Sequence, residues 1–196
     1  MTKLLLASTS PTRKKILKNI GIRFISIKPL IDEEKEKKKL FKLKKPEKIC
    51  QNLAKQKSIK TSVKHPTKYV IGVDTCLIYR QNFLSKPKSK KEAEKLLKKL
   101  NGKKHRIYSS IFISKNGKII WNFNDEAELK VRNLSSLEIL KYIKKQKIRN
   151  LKQSGLYQIE NTGITLFEKI NGSYFTILGI PLMPLLNFLQ KRRLLF

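Results

Sequence analysis

The sequence predicts an α/β fold on three observations. Lys3 to Ile20 runs from a short apolar segment through a hydroxyl-rich turn into a helical pattern. Tyr69 to Leu77 is apolar almost throughout, as a buried strand is. Around these two stretches, strand-like runs alternate with segments whose apolar residues fall at helical spacing. A chain of 196 residues, 40% of them hydrophobic, can bury a real core within one domain.

The elements follow in order. Leu4, Leu5 and Leu6 suit a buried strand. Ser10 is a good N-cap, and Pro11 suits the first helical position because its missing N–H would be unpaired there anyway. Ile16, Leu17 and Ile20 continue that helix to a stop at Gly21. Phe24 to Ile27 alternates like a strand, and Pro29 ends it. Lys35 to Lys45 is nearly all charge, with Leu40, Phe41 and Leu43 embedded, and is expected to be a solvated connection. Pro46 to Lys60 carries one helical stripe: Ile49, Cys50, Leu53, Ala54 and Lys57. After the Tyr69 to Leu77 strand, Arg80-Gln81-Asn82 makes a turn, and Lys86 is extended because proline follows it.

Ser89 with Glu92 is a capping-box pattern, opening a helix with Ala93, Leu96, Leu97 and Leu100 on its apolar face. Strands are expected at His105 to Ser114, Ile119 to Phe123 and Ala127 to Val131, the first two joined by a hairpin at Lys115-Asn116-Gly117-Lys118. Ser135 with Glu138 opens a further helix to about Lys145. A strand at Ile164 to Ile170, a turn at Asn171-Gly172-Ser173 and a last helix from Gly179-Ile180-Pro181 to about Lys191 complete the chain. There is no internal repeat, Walker-type loop, GxGxxG or domain linker.

The net charge of +31 comes mostly from lysines at the polar positions of periodic segments. That placement favours solvated faces over a dedicated nucleic-acid or lipid surface. No helix interleaves lysines with aromatics as a groove reader would. A pocket in so basic a protein still attracts polyphosphate. Cys50 and Cys76 lack metal or redox spacing and read as reduced, buried thiols of a cytoplasmic protein. His65 and His105 are too isolated for a histidine metal site, and no stretch reaches the roughly 20 apolar residues of a membrane span. The apolar start at Leu4 is too short for a signal peptide.

Four places carry candidate chemistry. The Ala7 to Arg13 turn joins a strand end to a helix N-terminus, where free N–H groups and the dipole attract an anion. Ser8 and Ser10 add hydroxyls there. Arg13 opposes the dipole of its own helix, which makes sense if it serves a phosphate; otherwise it is a solvated residue on an ordinary capped helix. Asp32-Glu33 follows a strand and can hold Mg²⁺ or simply pair with lysines. Lys57 extends a buried stripe and either snorkels or reaches a cleft to bind phosphate. Asp74 lies inside a buried run, which is costly unless it is paired, hydrogen-bonded or beside a metal.

Taken together, these stretches resemble the Maf family of nucleoside triphosphate pyrophosphatases. LASTSPTR is similar to its LASxSPRR signature, and Asp32-Glu33 to its acidic pair. Leu53-Ala54-Lys55-Gln56-Lys57 resembles LAxxKA, Ile71-Gly72-Val73-Asp74-Thr75 resembles IGxDT, and Leu84-Ser85-Lys86-Pro87 resembles xGKP. NGKKHRIYS, GLYQIE and NGSYFTILGIPL resemble the later motifs, in the right order across nearly the whole chain.

The resemblance implies a two-lobed, inosine-triphosphatase-like α/β fold over residues 1–196, a long mixed sheet flanked by helices with a central cleft. It implies hydrolysis of a nucleoside triphosphate to monophosphate and pyrophosphate with a divalent cation, Mg or Mn. By matching position, Asp74 is the proton acceptor, Glu33 and Asp74 hold the metal, and Ser8, Ser10, Arg13, Lys57 and Lys86 grip the triphosphate. Arg13 and Lys86 are expected in solvent-accessible turns. Thr12 stands where the family has Arg, and Glu160 where it has the pocket Gln, resembling the 7-methyl-GTP-cleaving type; Thr75 resembles the dTTP/UTP type. Glu160 is therefore expected to bear on the base. A homodimer stays open. The alternative function is a basic nucleic-acid-binding or cell-division regulatory protein on the same fold.

Overall fold

The computed structural model describes residues 3–40, 45–149, 151 and 155–195. Among them, seven strands form one mixed sheet, ordered β2-β1-β3-β5-β6-β7 with β4 on the edge of β3. β1 (Leu4–Ala7) lies parallel to β2 (Phe24–Ile27) and to β3 (Tyr69–Tyr79). β4 (Asn82–Leu84), β5 (Lys104–Lys115), β6 (Lys118–Val131) and β7 (Phe167–Asn171) join antiparallel. The helices are α1 (Pro11–Asn19), α2 (Glu33–Leu40), α3 (Pro46–Lys64), α4 (Lys90–Leu100), α5 (Ser136–Lys145), the short α6 (Tyr174–Ile177) and α7 (Leu182–Lys191). None of the described helices is long and apolar enough to cross a membrane.

Alternation along β3 distributes the layers. Gly72 and Asp74 point towards α3, while Ile71, Val73, Thr75 and Leu77 point to the opposite face. At Gly72 a Cβ would collide with the backbone of Ala54 and Ser58, so only glycine lets α3 lie this close to the sheet. On the opposite face sit two separate cores. Ile71, Val73, Ile111 and Ile113 pack with α1 and α7 through Leu17, Leu185 and Leu189. Tyr79, Ile107, Ala127 and Leu129 pack with α4 and α5 through Leu97, Leu100, Ile139 and Ile143.

A polar row separates these cores. Thr75 pairs across the ladder with Ser109, and Ser109 with Asp125. The two cores share one sheet and are divided at that row.

Three expectations are corrected. The charged run after Asp32 is helical as far as Leu40, because Asp32 accepts from the Lys35 N–H at 3.0 Å and Glu33, Glu34 and Glu36 fill the first turn, where acids favour the dipole. Phe41 and Leu43 lie outside the described residues. The two strands expected at Ile119 to Phe123 and Ala127 to Val131 are one strand, since Asn124, Asp125 and Glu126 stay in the ladder opposite Ser110, Ser109 and Tyr108. The strand expected from Ile164 begins only at Phe167, preceded by a 3₁₀ turn over Thr162–Leu166. The free thiols of Cys50 and Cys76 are buried, as expected.

Candidate active site

The site begins as a gap in the sheet. β1 stops opposite Gly72, and β4 takes up the same edge of β3 only at Leu77. Between those points residues 73–76 have a strand partner on one side only, β5. The chain leaving β1 turns over this gap through Ser8 to Arg13 into α1. Crevices beyond the carboxyl ends of parallel strands are where open α/β sheets bind ligands. Here the crevice is a cleft of about 730 Å³, within the range of small-molecule sites.

On the α3 side of the gap, Lys57 Nζ lies 2.7 Å from Asp74 Oδ1 and 3.0 Å from Glu33 Oε1. Lys57 is 4% exposed and Asp74 7%. Burial alone would lower the Lys57 pKa, but Asp74 and then Glu33 outweigh it, so the net shift is upward and the ammonium stays charged. Of the acidic pair, Glu33 faces the cleft and Asp32 caps α2.

On the opposite side Arg13 is buried, and burial lowers its pKa somewhat. Its Nε–H donates to the Gly179 carbonyl at 2.7 Å, Nη1 to Ser8 Oγ and the Val73 carbonyl at 3.2 Å each, and Nη2 to Thr75 Oγ1 at 2.9 Å. Four of the five guanidinium N–H groups are thereby engaged within the protein, leaving one on Nη2. Gly179 presents its carbonyl from a backbone with φ of +93°, which favours glycine. The expectation of a solvent-accessible Arg13 is corrected: it ties the turn to β3 and to the segment before α7.

The chain of hydroxyls continues behind it. Thr75 Oγ1 and Ser109 Oγ lie 2.8 Å apart, and Ser109 donates to the Thr176 carbonyl at 2.9 Å. Because the Ser109 proton is used there, the single Thr75 proton is shared between Ser109 Oγ and the Gly179 carbonyl, to which Thr75 Oγ1 donates at 3.3 Å. The Thr176 hydroxyl donates to Asp125 at the far end of the polar row.

Ser10 Oγ accepts from the Arg13 N–H at 3.4 Å, and Ser8 Oγ accepts from the Ser10 N–H at 3.3 Å. Lys86 is exposed, on the segment after β4, and the exposed Glu160 lines the cleft next to Ile159 of the core that packs with α4 and α5. The Thr12 hydroxyl donates to Glu160 Oε1 at 3.3 Å, so the two positions that depart from the resembled family meet each other.

All eight residues expected from sequence, Ser8, Ser10, Glu33, Arg13, Lys57, Asp74, Lys86 and Glu160, line this one cleft. Sequence reasoning missed Ser109 and the Gly179 carbonyl; their only signal is a small polar residue in an apolar strand and a glycine before a helix. The charged lining is four bases, Arg13, Lys57, Lys86 and Lys88, against four acids, Glu33, Glu34, Asp74 and Glu160. In a chain of net charge +31 the cleft lining is formally neutral.

Two carboxylates converging on one cationic group are also an oxygen donor set for a hard divalent cation. The described residues hold no cluster of three or more His, Cys, Asp or Glu side chains suited to a metal, so the protein itself would offer Glu33 and Asp74. That fits Mg²⁺ or Mn²⁺ sites completed by water and substrate phosphate.

A family model described as Maf-like protein matches residues 3–192. The chain is 39% identical over 188 residues to a nucleoside triphosphate pyrophosphatase of Pelagibacter ubique, covering 95% of this chain and 96% of the relative. It is 39% identical over 192 residues to a 7-methyl-GTP pyrophosphatase of Brucella abortus, covering 97% and 96%. A solved Ham1 protein from Staphylococcus aureus superposes with a TM-score of 0.43 at 18% identity, over 66% of this chain and 72% of its own.

Proposed function

The chain belongs to the Maf-like protein family, and from that premise we propose that it hydrolyses a nucleoside triphosphate to the monophosphate and pyrophosphate. The observation that supports this most is the Glu33–Lys57–Asp74 cluster set opposite the Ser8 to Arg13 turn. A carboxylate for water and donors for phosphate thus face one another across one cleft. The basic nucleic-acid-binding or regulatory alternative is not favoured, because a binding module has no use for two carboxylates sharing one buried lysine.

In this reading the turn and the α1 N-terminus take the phosphate oxygens through backbone N–H groups and the Ser8 and Ser10 hydroxyls. Lys57 and Lys86 add charge, and Arg13 shapes the turn while offering its remaining Nη2 proton. Asp74 accepts a proton from the attacking water as oxygen bonds to the α-phosphorus. The α–β bridging bond breaks and pyrophosphate leaves with the electron pair. A divalent cation held by Glu33 and Asp74 would neutralise charge on the phosphates. Thr12 and Glu160 border the base, and an ionised Glu160 accepts hydrogen bonds but donates none. The buried thiols suit a reducing compartment, which supports a cytoplasmic location.

The test is a panel of standard and modified triphosphates with pyrophosphate as the measured product. Metal-dependent release from at least one substrate is expected. Release of orthophosphate alone would reject the bond assignment, and full activity in excess chelator would reject the cation.

A further inference from the structure

We propose that Lys57 is an internal counter-ion that occupies the two carboxylates of the free protein and gives them up only when a nucleotide arrives, so that divalent cation and nucleotide enter together. This rests on the function and the cation proposed above, and adds an order of events to them.

Four observations carry it. The Lys57 ammonium touches both Glu33 and Asp74, at 3.0 and 2.7 Å. It is almost fully buried, so leaving the carboxylates without a new anion would strand a charge out of water. Arg13 lies close enough to act electrostatically on Lys57, Asp74 and Glu33. The formal charges of Arg13, Lys57, Glu33 and Asp74 sum to zero, so the two buried cations offset the pull of the two carboxylates on a dication. Adding a dication alone would place two further positive charges beside two buried cations. A triphosphate changes the balance: its oxygens can receive the Lys57 ammonium, which frees Glu33 and Asp74 for the cation.

The geometry also gives Lys57 somewhere to go. It stands on the inner face of α3, and the cleft that contains the Ser8 to Arg13 turn includes it in its wall. Glu33 opens α2, which is held to α3 by a second, looser pair, Lys60 to Glu36 at 3.7 Å. Lys57 is therefore one of the ties between α3 and the start of α2.

The experiment measures Mn²⁺ binding by counting free ion with electron paramagnetic resonance, on the full chain, with and without a non-hydrolysable triphosphate analogue. Wild type should bind Mn²⁺ weakly alone and at least about tenfold more tightly with the analogue, once the ion bound by the analogue in a protein-free control is subtracted. Lys57→Met should bind Mn²⁺ alone about tenfold more tightly than wild type, because both carboxylates lose the Lys57 ammonium. Lys55→Met removes the same charge from the exposed face of the same helix, two residues away, and should change Mn²⁺ affinity by no more than about twofold. Equal or weaker Mn²⁺ binding by Lys57→Met, or an equal gain in Lys55→Met, would overturn the proposal.

Should Lys57→Met fail to fold, the side-chain ammonium resonance of Lys57 in the wild type decides. It should stay put in Mg²⁺ alone and move when Mg²⁺ and analogue are both present; movement in Mg²⁺ alone overturns the proposal. Pyrophosphate release with the binding pattern absent rejects the role of Lys57 and keeps the activity. The pattern without pyrophosphate release keeps Lys57 and rejects the activity.

Discussion

Arg13 Nη2 donates to Thr75 Oγ1 at 2.9 Å, and this bond joins the first turn of α1 to the residue immediately after Asp74. The phosphate-facing turn and the strand bearing the carboxylate are thus held in one rigid arrangement from the side opposite Lys57.

Arg13 and Lys86 should separate cleanly when each is truncated. Arg13→Ala leaves the Gly179 and Val73 carbonyls and the Thr75 hydroxyl without this donor in a buried setting. Each such loss costs roughly 1–3 kcal/mol, so the unfolding free energy should drop by about 3 kcal/mol or more. Lys86→Ala is at an exposed side chain and should stay within about 0.5 kcal/mol of wild type while raising KM. Urea titration together with kinetics checks both. Equal stability of the two variants would show that the Arg13 bonds contribute little.

Asp74→Asn keeps the shape of the side chain and removes its ability to take a proton. Turnover should fall by about 10²–10⁴-fold with the fold retained. The measurement is initial pyrophosphate release at saturating substrate and Mg²⁺, with circular dichroism as the folding check. Activity within a few-fold of wild type would move the base elsewhere, Glu33 being next.

Glu160→Gln should alter the ratio of activities among bases more than it lowers the best one. The Thr12 hydroxyl can still donate to the carbonyl oxygen of the new amide, so the rim itself should survive. Stability should be unchanged because the site is exposed. A uniform drop across all bases would remove Glu160 from base selection.

His105 sets a pH dependence of stability. Its ring is buried against Tyr157 and Phe167, and Nε2 shares a hydrogen bond of 2.7 Å with the Tyr157 hydroxyl, while Nδ1 has no partner among the described residues. Burial lowers its pKa from 6.5 to about 4. The unfolded chain therefore binds the proton first as pH falls. Stability should be full above pH 6.5, decline between 6.5 and about 4, and level off below, a loss of about 3 kcal/mol from this residue. Unfolding midpoints across that window should slope in wild type and flatten in His105→Gln. Identical slopes would assign the dependence to the carboxylates.

What sequence made legible was local. Strand, hydroxyl turn, capped helix and an acid in an apolar run are all set within a dozen residues, and the structure places them as expected. Lys57 was legible because a helical stripe has only one inner face. The bonds of Arg13 were not, since its partners Val73 and Gly179 lie 60 and 166 residues away. α2 escaped because it shows no apolar stripe to mark a period, only a favourable order of acids before lysines. The single long β6 escaped because Asn124 and Asp125 look like a turn until Ser110 and Thr176 supply their partners.

Gly72 has a consequence for how this chain tolerates its own composition. With no side-chain layer between Ala54 and the strand, the offset between α3 and β3 is set by backbone against backbone. The spacing of Lys57 from Asp74, two residues further along, is then inherited from that seam and is insulated from whatever decorates the outside of the helix. Lysines can accumulate on the solvated face of α3 while that seam continues to set the offset of Lys57 from Asp74. The same seam makes position 72 brittle: a single added methyl group would wedge the two elements apart at the point from which the site is measured.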